Sequence, residues 1–314
     1  NGTQSAHLNL RMANRHGLIA GATGTGKTVM AALDYRRFAR EQKGLPRLLF
    51  VAHRIQILRQ AQRTFQQVLG NSQFGELLGD GYEPQSHEHL FAVINSVNSR
   101  KLVEKLGANY WAMVVVDECH HIAAQSFSSF VNSVQPMVLL GLTATPERHD
   151  GGDILADFCG IIAAEIRLPE AINQRHLCPF QYFAVDDDTD LRKISWSSGR
   201  YDVTQLTNLY THNSSRVHKI LLEMQRVITD INRMRALAFC VSRDHANYMV
   251  QQFLLKGLKA DILTSDNRQE RAEKQQALRS GAINILCVVD IFNEGVDIPQ
   301  VDTLLFLRPT ESLT

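Results

Sequence analysis

The sequence has few of the residues that form disulfides or structural zinc sites, which stabilise many small or secreted proteins. Only five of its 314 residues are cysteines, and no two of them form a Cys-x-x-Cys pair. His120 and His121 stand beside Cys119, but no second ligand pair follows at zinc-finger spacing. An odd number of unpaired cysteines argues against a disulfide framework. We therefore expect reduced thiols and a cytoplasmic location.

Long apolar runs and a strong charge of either sign are also lacking. No stretch approaches the ~18 apolar residues that a membrane span needs, and the N-terminus has no signal-peptide core. We therefore expect no membrane partner. The formal net charge of +1 neither favours nor excludes nucleic acid, because a local basic stripe can bind it on a neutral body. The chain begins with Asn1, so we expect it to be cut from a longer protein with further domains.

Hydrophobic residues make up 44% of the chain, which is enough for two cores at this length. In the first half, short apolar runs alternate with amphipathic stretches. Such alternation predicts an α/β fold with a parallel sheet and helices on both faces. The runs LLFVA and MVVVD are apolar throughout, which is typical of strands buried on both faces. The predicted strands are Leu18–Ala20, Arg47–Ala52, Leu90–Asn95, Met113–Asp117 and Met137–Thr143, and the helices include Lys27–Glu41 and Arg54–Leu69.

The same alternation restarts near the C-terminus and predicts a second, smaller α/β unit. We expect a first domain over residues 1–175, a connector and the start of the second unit over 176–235, and a second domain over 236–314. The aspartates of the polar stretch Val185–Asp202 favour a solvated loop over a metal cluster. The second unit's predicted strands are Leu237–Val241, Ala260–Leu263, Ile283–Val289 and Thr303–Leu307, and its helices are Asp244–Lys256 and Arg268–Ser280.

The segment GATGTGKT follows a predicted strand and opens a predicted helix. It fits the phosphate-loop pattern G-x-x-x-x-G-K-[ST] in the context that the pattern requires. Glycines let several backbone N–H groups face one point, and the helix N-terminus adds positive potential. Lys27 would reach the β- and γ-phosphates of ATP, and the Thr28 hydroxyl would ligate Mg²⁺. The predicted ATP-binding residues are Gly21, Ala22, Thr23, Gly24, Thr25, Gly26, Lys27 and Thr28.

A second segment, VVVDECHH, places two carboxylates at the end of a buried strand. Ligands of open parallel sheets bind at this end of the strands. Asp117 is predicted to hold Mg²⁺, and Glu118 to orient and deprotonate the attacking water. With Lys27 they form the predicted catalytic set. The alternative is a strand that ends in a solvated acidic turn.

A third segment, GLTATP, places Thr143 and Thr145 after another apolar strand. Small hydroxyl residues at this position are predicted to couple the carboxylates to the nucleic-acid surface. A plain turn before Pro146 would have the same sequence.

GATGTGKT, VAHR, DECHH, GLTATP and EGVDIP occur in this order and resemble motifs I, Ia, II, III and V of superfamily 2 helicases. The resemblance covers nearly the whole chain. It implies two RecA-like parallel-sheet domains with the ATP site in the cleft between them. The sequences DECHH and TATP resemble the corresponding motifs of DNA-acting members, such as restriction-enzyme motor subunits and bacterial DEAD/DEAH-box helicases. RNA helicases more often carry D-E-A-D and S-A-T.

The resemblance also implies roles for residues outside the three segments. Arg54 in VAHR and Ser96 in INSV would contact the phosphate backbone of nucleic acid. Gly295 and Asp297 would approach the nucleotide from the second domain, with Glu294 shaping that loop. Arg54 as an ordinary surface arginine, and Gly295 as a turn glycine, are the open alternatives.

The sequence departs from the family pattern in three places. Phe239–Ser242 matches motif IV, but Val289 stands where motif V often has threonine. The arginine-bearing motif VI is expected beyond Thr314, and Arg308 lies upstream of its place. The adenine-reading glutamine has only Gln4 as a candidate, which is not assigned.

These observations predict an ATP-dependent DNA helicase or translocase with ATP and Mg²⁺ as cofactors and nucleic acid as partner, DNA being favoured over RNA. An RNA helicase is the first alternative. A nucleotide-gated clamp without processive movement is the second. Two carboxylates together at Asp117 and Glu118 favour hydrolysis over an inactive site.

Overall fold

The computed structural model describes residues 16–22, 24–119, 125–144, 158, 160–186, 189–197, 200–264, 270–289 and 298–309. The chain divides into two compact units at the Phe180–Gln181 bond. This boundary lies close to the end of the first domain expected from the sequence. Within the described ranges, no helix combines the length and the hydropathy needed to cross a membrane. The four cysteines in those ranges, Cys119, Cys178, Cys240 and Cys287, are free thiols.

The first unit is a parallel β-sheet of seven strands in the order β3-β4-β2-β5-β6-β1-β7. All the strand pairs are parallel, as the sequence predicted. The strands are β1 (His16–Gly21), β2 (Leu48–Ala52), β3 (Glu76–Leu78), β4 (His89–Val93), β5 (Met113–Asp117), β6 (Val138–Thr143) and β7 (Ile162–Ile166). The helices are α1 (Lys27–Glu41), α2 (Ile55–Leu69), α3 (Ile94–Ser99), α4 (Leu102–Leu106), α5 (Gln125–Ser133) and α6 (Leu168–Asn173).

Two hydrophobic cores cover the two faces of this sheet. On one face, α1 and α2 bury one side of each helix against the strands, with Tyr35 and Phe65 completely enclosed. Their rings pack with centroids 5.8 Å apart, and the Tyr35 hydroxyl donates to the Pro46 carbonyl at 2.7 Å. On the other face, α3, α4 and α5 pack around Trp111. The central strands are therefore buried on both sides, which explains their uniformly apolar sequences.

The second unit has a smaller parallel sheet in the order β11-β12-β10-β13. Helices α8 and α9 cover one face and α10 packs on the other. A two-residue antiparallel pair, β8 with β9, precedes this sheet. The strands are β8 (Trp196–Ser197), β9 (Arg200–Tyr201), β10 (Ala236–Phe239), β11 (Ala260–Leu263), β12 (Ile285–Val288) and β13 (Thr303–Phe306). The helices are α7 (Val203–Thr211), α8 (Ser214–Val227), α9 (Arg243–Leu255) and α10 (Arg271–Ser280).

The second unit begins well before its first sheet strand. Helix α8, which lies in the expected connector, buries Val217, Leu221 and Met224 in the same core as β10 and β12. The polar stretch Val185–Asp202 contains a 3₁₀ turn, at Leu191–Lys193, as well as β8 and β9. In the described ranges, no group of three or more His, Cys, Asp or Glu residues is placed to hold a metal ion.

Candidate nucleotide site

The phosphate loop has the backbone conformation that its glycines permit. Gly24 and Gly26 both have φ of 85°, in the left-handed region where a side chain is strained. Thr25 closes a tight turn, since its N–H and its hydroxyl both donate to the Ala22 carbonyl, at 3.2 and 2.7 Å. Gly26 then caps α1. The loop therefore turns back sharply between β1 and α1, as the sequence pattern predicted. Thr23 lies outside the described residues.

Lys27 is the first residue of α1, and its side chain folds back over the loop. The Nζ atom donates to the Gly21 carbonyl at 2.8 Å, and the residue is 9% exposed. Burial lowers the pKa of Lys27, while the nearby Glu118, Asp117 and Cys119 groups act in the opposite direction. The ammonium group therefore lies in the electric field of the two predicted carboxylates.

Asp117 ends β5 and is almost completely buried, at 6% exposure. Burial, and then the negative charge of Glu118, raise the pKa of Asp117 to about 7. The Glu118 N–H donates to Asp117 Oδ1 at 2.9 Å and, with Lys27, partly offsets this. Glu118 itself has φ of 50°, which turns the chain away from the strand direction and leaves its side chain half-buried. A desolvated carboxylate at this position favours a cation as its partner.

Strand order brings these residues to one edge of the sheet. β6 lies between β5 and β1, with Asp117 in register with Leu142 and Ala20 in register with Thr143. Because all three strands are parallel, their carboxyl ends, and the loop at Gly21, lie at the same edge. Thr143 is fully buried there. Thr145 lies outside the described residues, so its coupling role stays a prediction.

The donor set at this edge fits Mg²⁺. Magnesium prefers oxygen ligands, and it is usually held by one or two carboxylates together with substrate phosphates and water. Asp117 supplies a buried carboxylate, and Thr28 supplies a half-buried hydroxyl in the first turn of α1. A divalent cation would offset the burial that raises the pKa of Asp117.

The two residues expected to contact nucleic acid follow neighbouring strands. β2 and β4 are adjacent, with Ala52 in register with Val93. Arg54 follows β2 as the N-cap of α2, in an extended conformation and half-buried. Ser96 lies in α3, directly after β4, and is half-buried beside Gly79. Both residues therefore lie past the carboxyl ends of their strands, at the same edge as the phosphate loop, and their contact with phosphate stays a prediction.

In the second unit, Glu294, Gly295 and Asp297 lie outside the described residues, so their predicted roles remain predictions. The motif IV segment is described: β10 leads to Ser242, which caps α9 by accepting the His245 N–H at 3.2 Å. A hydrogen bond of 2.8 Å joins Thr207 Oγ1 to Ser242 Oγ, which fixes α7 to this cap.

One buried charge in the second unit was not predicted from the sequence. The guanidinium group of Arg216 lies 4.0 Å from the centre of the Tyr210 ring and donates to the Leu307 carbonyl at 3.2 Å. Arg216 therefore connects α8 to the residue after β13. The only signal in the sequence is an arginine among the apolar positions of an amphipathic helix, which is too common to single it out.

Comparison with known proteins places both units among helicase and restriction-enzyme families. Residues 4–148 match the family described as type III restriction enzyme, res subunit, and residues 202–314 match the helicase conserved C-terminal domain. Among curated proteins, the chain is 25% identical over 303 residues to a Saccharomyces cerevisiae protein named as an ATP-dependent helicase, IRC3. That match covers 93% of this chain and 43% of the yeast protein. The chain is also 28% identical over 251 residues to the Escherichia coli type I restriction enzyme EcoAI endonuclease subunit, covering 74% of this chain and 30% of that subunit.

Solved structures share the fold at lower identity. The type ISP restriction-modification enzyme LlaBIII bound to DNA aligns with a TM-score of 0.69 at 18% identity, over 94% of this chain and 24% of that one. Saccharomyces cerevisiae Dbp5 bound to RNA and ADP BeF₃ aligns with a TM-score of 0.56 at 17% identity, over 93% and 70% of the two chains. The described α/β architecture and these neighbours confirm the expected RecA-like fold class.

The chain covers only part of its relatives, 43% of the yeast protein and 60% of a 51.5 kDa Lactococcus phage protein that is 25% identical over 301 residues. The two family matches nevertheless fall one in each unit and together span most of the sequence. Their order is that of the motifs. The chain therefore belongs to the superfamily 2 helicases.

Proposed function

We propose that this chain is the motor of an ATP-dependent DNA helicase or translocase, which couples hydrolysis of Mg²⁺-bound ATP to movement along nucleic acid. One observation carries the proposal. The Lys27 ammonium lies buried over the phosphate loop, in the field of Asp117 and Glu118 at the end of β5. Phosphoryl transfer to water needs a cationic hydrogen-bond donor for the phosphates, together with carboxylates that bind Mg²⁺ and accept a proton, all at one edge of the sheet.

Each residue has a distinct role in the proposed reaction. The loop N–H groups and Lys27 would bind and orient the β- and γ-phosphates. Asp117 and the Thr28 hydroxyl would hold Mg²⁺, which supplies charge neutralisation at the phosphates when bound. Glu118 would accept a proton from the attacking water as the water oxygen bonds to the γ-phosphorus and the bond to the bridging oxygen of ADP breaks. The half-buried position of Glu118 leaves it accessible to that water.

In the second unit, Gly295 and Asp297 would also contact the nucleotide, as the family resemblance implies. Thr143 and Thr145 would pass the change in phosphate state to the nucleic-acid contacts at Arg54 and Ser96. Further domains outside this chain are part of the proposal. A cytoplasmic location stays a prediction from the cysteine pattern.

DNA is favoured over RNA because of the restriction-enzyme relatives. EcoAI is a restriction enzyme, and the LlaBIII structure contains DNA. An RNA helicase is the second candidate, and the Dbp5 structure bound to RNA is the observation that favours it. A clamp that binds without moving would use the same site.

The test compares ATP turnover and strand displacement on matched substrates. Turnover of the full-length protein that contains this chain is measured alone and with equal nucleotide concentrations of single-stranded DNA, duplex DNA and single-stranded RNA. Displacement of a third strand from a DNA triplex then reports movement along duplex. Stimulation by DNA together with displacement supports the proposal, and stimulation by RNA alone supports the second candidate. Lys27→Ala is the control that must abolish both signals, and binding with no stimulated turnover would favour the clamp.

A further inference from the structure

The exposed face of α2 has an unusual composition. Helix α2 is amphipathic, and its fully buried residues include Leu58 and Phe65. Every exposed position of the helix is an arginine or a glutamine, and the helix contains no carboxylate. We call these exposed residues the α2 stripe. They are Gln56, Arg59, Gln60, Arg63 and Gln67.

The two arginines of the stripe are exposed residues of α2. Among the described residues, neither Arg59 nor Arg63 has a carboxylate within ion-pair distance, and neither side chain takes part in a hydrogen bond. Arg37 on the neighbouring α1 differs, because Asp34 and Glu41 lie 4.0 and 3.4 Å from its Nε atom. The α2 stripe is therefore a line of hydrogen-bond donors with uncompensated positive charge.

The stripe also begins at a functionally placed residue. Arg54, the N-cap of α2, lies at the carboxyl edge of the sheet with the phosphate loop. The helix then runs back along the side of unit 1. Arg59 and Arg63 are one helical turn apart, about 6 Å along the axis. Phosphates on one strand of a duplex rise about 3.4 Å per nucleotide, so both guanidinium groups can reach phosphates one or two nucleotides apart.

We propose that the α2 stripe is a second phosphate-binding surface, which carries DNA from Arg54 along the side of unit 1. This inference rests on the proposed motor function. The occupant is a nucleic-acid backbone because arginine binds phosphate in a bidentate manner and glutamine amides donate to phosphate and sugar oxygens. No base edge is read, so binding at this surface is independent of sequence. An acidic protein is the other class of partner with this charge, and it is an outcome of the test.

The experiment compares the wild-type chain with R59Q/R63Q. Glutamine keeps the helix propensity and matches the rest of the stripe. The affinity for a fluorescent duplex DNA is measured over a series of salt concentrations, together with the shortest duplex that gives full affinity. Loss of two phosphate contacts should reduce the slope of log K against log salt by about 2, which corresponds to about 60-fold weaker binding at ~0.1 M salt. The minimum duplex should shorten by about 2 base pairs, since Arg59 and Arg63 lie about 6 Å apart along the helix axis.

The matched control is R37Q/R226Q. It also removes two exposed helical arginines, but each of these already pairs with a carboxylate, Arg226 with Glu223 at 2.7 Å. The control should keep the wild-type slope and minimum length. Equal changes in both double variants would mean that overall charge, and not the stripe, sets the slope, which overturns the inference.

The remaining outcomes separate this inference from the proposed function. A wild-type slope and minimum length in R59Q/R63Q would overturn the stripe while leaving the motor intact, provided that DNA still stimulates ATP turnover of the wild type. Failure of the wild type to bind any duplex at ~0.05 M salt would overturn the stripe, and failure to bind single strands as well would also overturn the motor function. If R59Q/R63Q loses affinity only for a duplex RNA of the same length, the stripe is still a phosphate-binding surface, but its occupant is RNA. Poly-L-glutamate serves as the probe for an acidic protein. If R59Q/R63Q binds it more weakly while DNA binding is unchanged, the stripe is a site for an acidic protein and the inference is overturned.

Discussion

Asp117 is held in the folded chain at a free-energy cost that depends on pH. Burial, and then the charge of Glu118, raise the pKa of Asp117 to about 7, against an ordinary value of 3.8. Below pH ~4 the carboxyl group is protonated in both states and contributes nothing. Between pH ~4 and ~7 the unfolded chain is ionised while the folded chain keeps the proton, so stability falls as the pH rises. Above pH ~7 the full cost, about 4 kcal/mol, is present.

Substitution Asp117→Asn should remove this cost without changing the shape of the site, because the asparagine Oδ1 can still accept the Glu118 N–H. At pH 5 roughly 1–2 kcal/mol of the cost is already present. Between pH 5 and pH 8 the wild type should therefore lose roughly 2–3 kcal/mol relative to the variant. For a unit of this size, that corresponds to a difference in melting temperature that grows by roughly 5–10 °C.

The assay follows the melting of unit 1 alone. Trp111 is fully buried in unit 1, and the other tryptophan, Trp196, is exposed in unit 2. In a Trp196→Phe background, the fluorescence of Trp111 reports unit 1 over a pH series without divalent cations. Without the cation, the wild type should melt at a lower temperature than the Asp117→Asn variant at pH 8. Adding Mg²⁺ and ATP should reverse this order, since only the wild type offers a carboxylate to the cation. A constant difference in melting temperature between the wild type and the Asp117→Asn variant from pH 5 to pH 8 would refute the reasoning and place the carboxylate in solvent.

Three further predictions concern the site and its supporting strands. Lys27→Ala should weaken ATP binding at least ~10-fold by equilibrium titration, because one charge-assisted contact to phosphate is lost, while thermal melting shows a folded chain. Wild-type affinity in that variant would contradict the phosphate-loop assignment. Glu118→Gln should keep ATP affinity and lower DNA-stimulated turnover by ~10²–10⁴-fold, and turnover within a few-fold of wild type would exclude Glu118 as the base. Gly141→Ala should destabilise unit 1 by ~1–3 kcal/mol in denaturant melts, because the new Cβ would lie 2.6 Å from Phe158 Cζ. Gly44→Ala, with no atom within 4 Å, is its control, and equal stability of the two variants would contradict the packing argument.

Much of the fold was predictable because the relevant signals are local. The apolar runs at Leu48–Ala52 and Met113–Asp117 predicted central strands, and both are buried on two faces. The phosphate loop was predictable because its chemistry needs glycine at fixed positions, and Gly24 and Gly26 do adopt positive φ. β7 was missed, since Ile162–Ile166 is a half-exposed edge strand without a continuous apolar pattern. Helix α8 was not predicted, although its apolar residues Val217, Leu221 and Met224 recur at helical spacing.

The sequence by itself determined which residues are candidates for the chemistry, because residue type and spacing within one segment are sufficient to place a lysine after a glycine turn or a carboxylate at a strand end. Only the tertiary structure decided their energetics. The pKa of Asp117 depends on strands and helices that are distant in the sequence and exclude water from β5. The α2 stripe became visible only when packing divided that helix into a buried and an exposed face. Burial and electrostatic fields depend on what surrounds a residue in space, and a single segment of sequence does not contain that information.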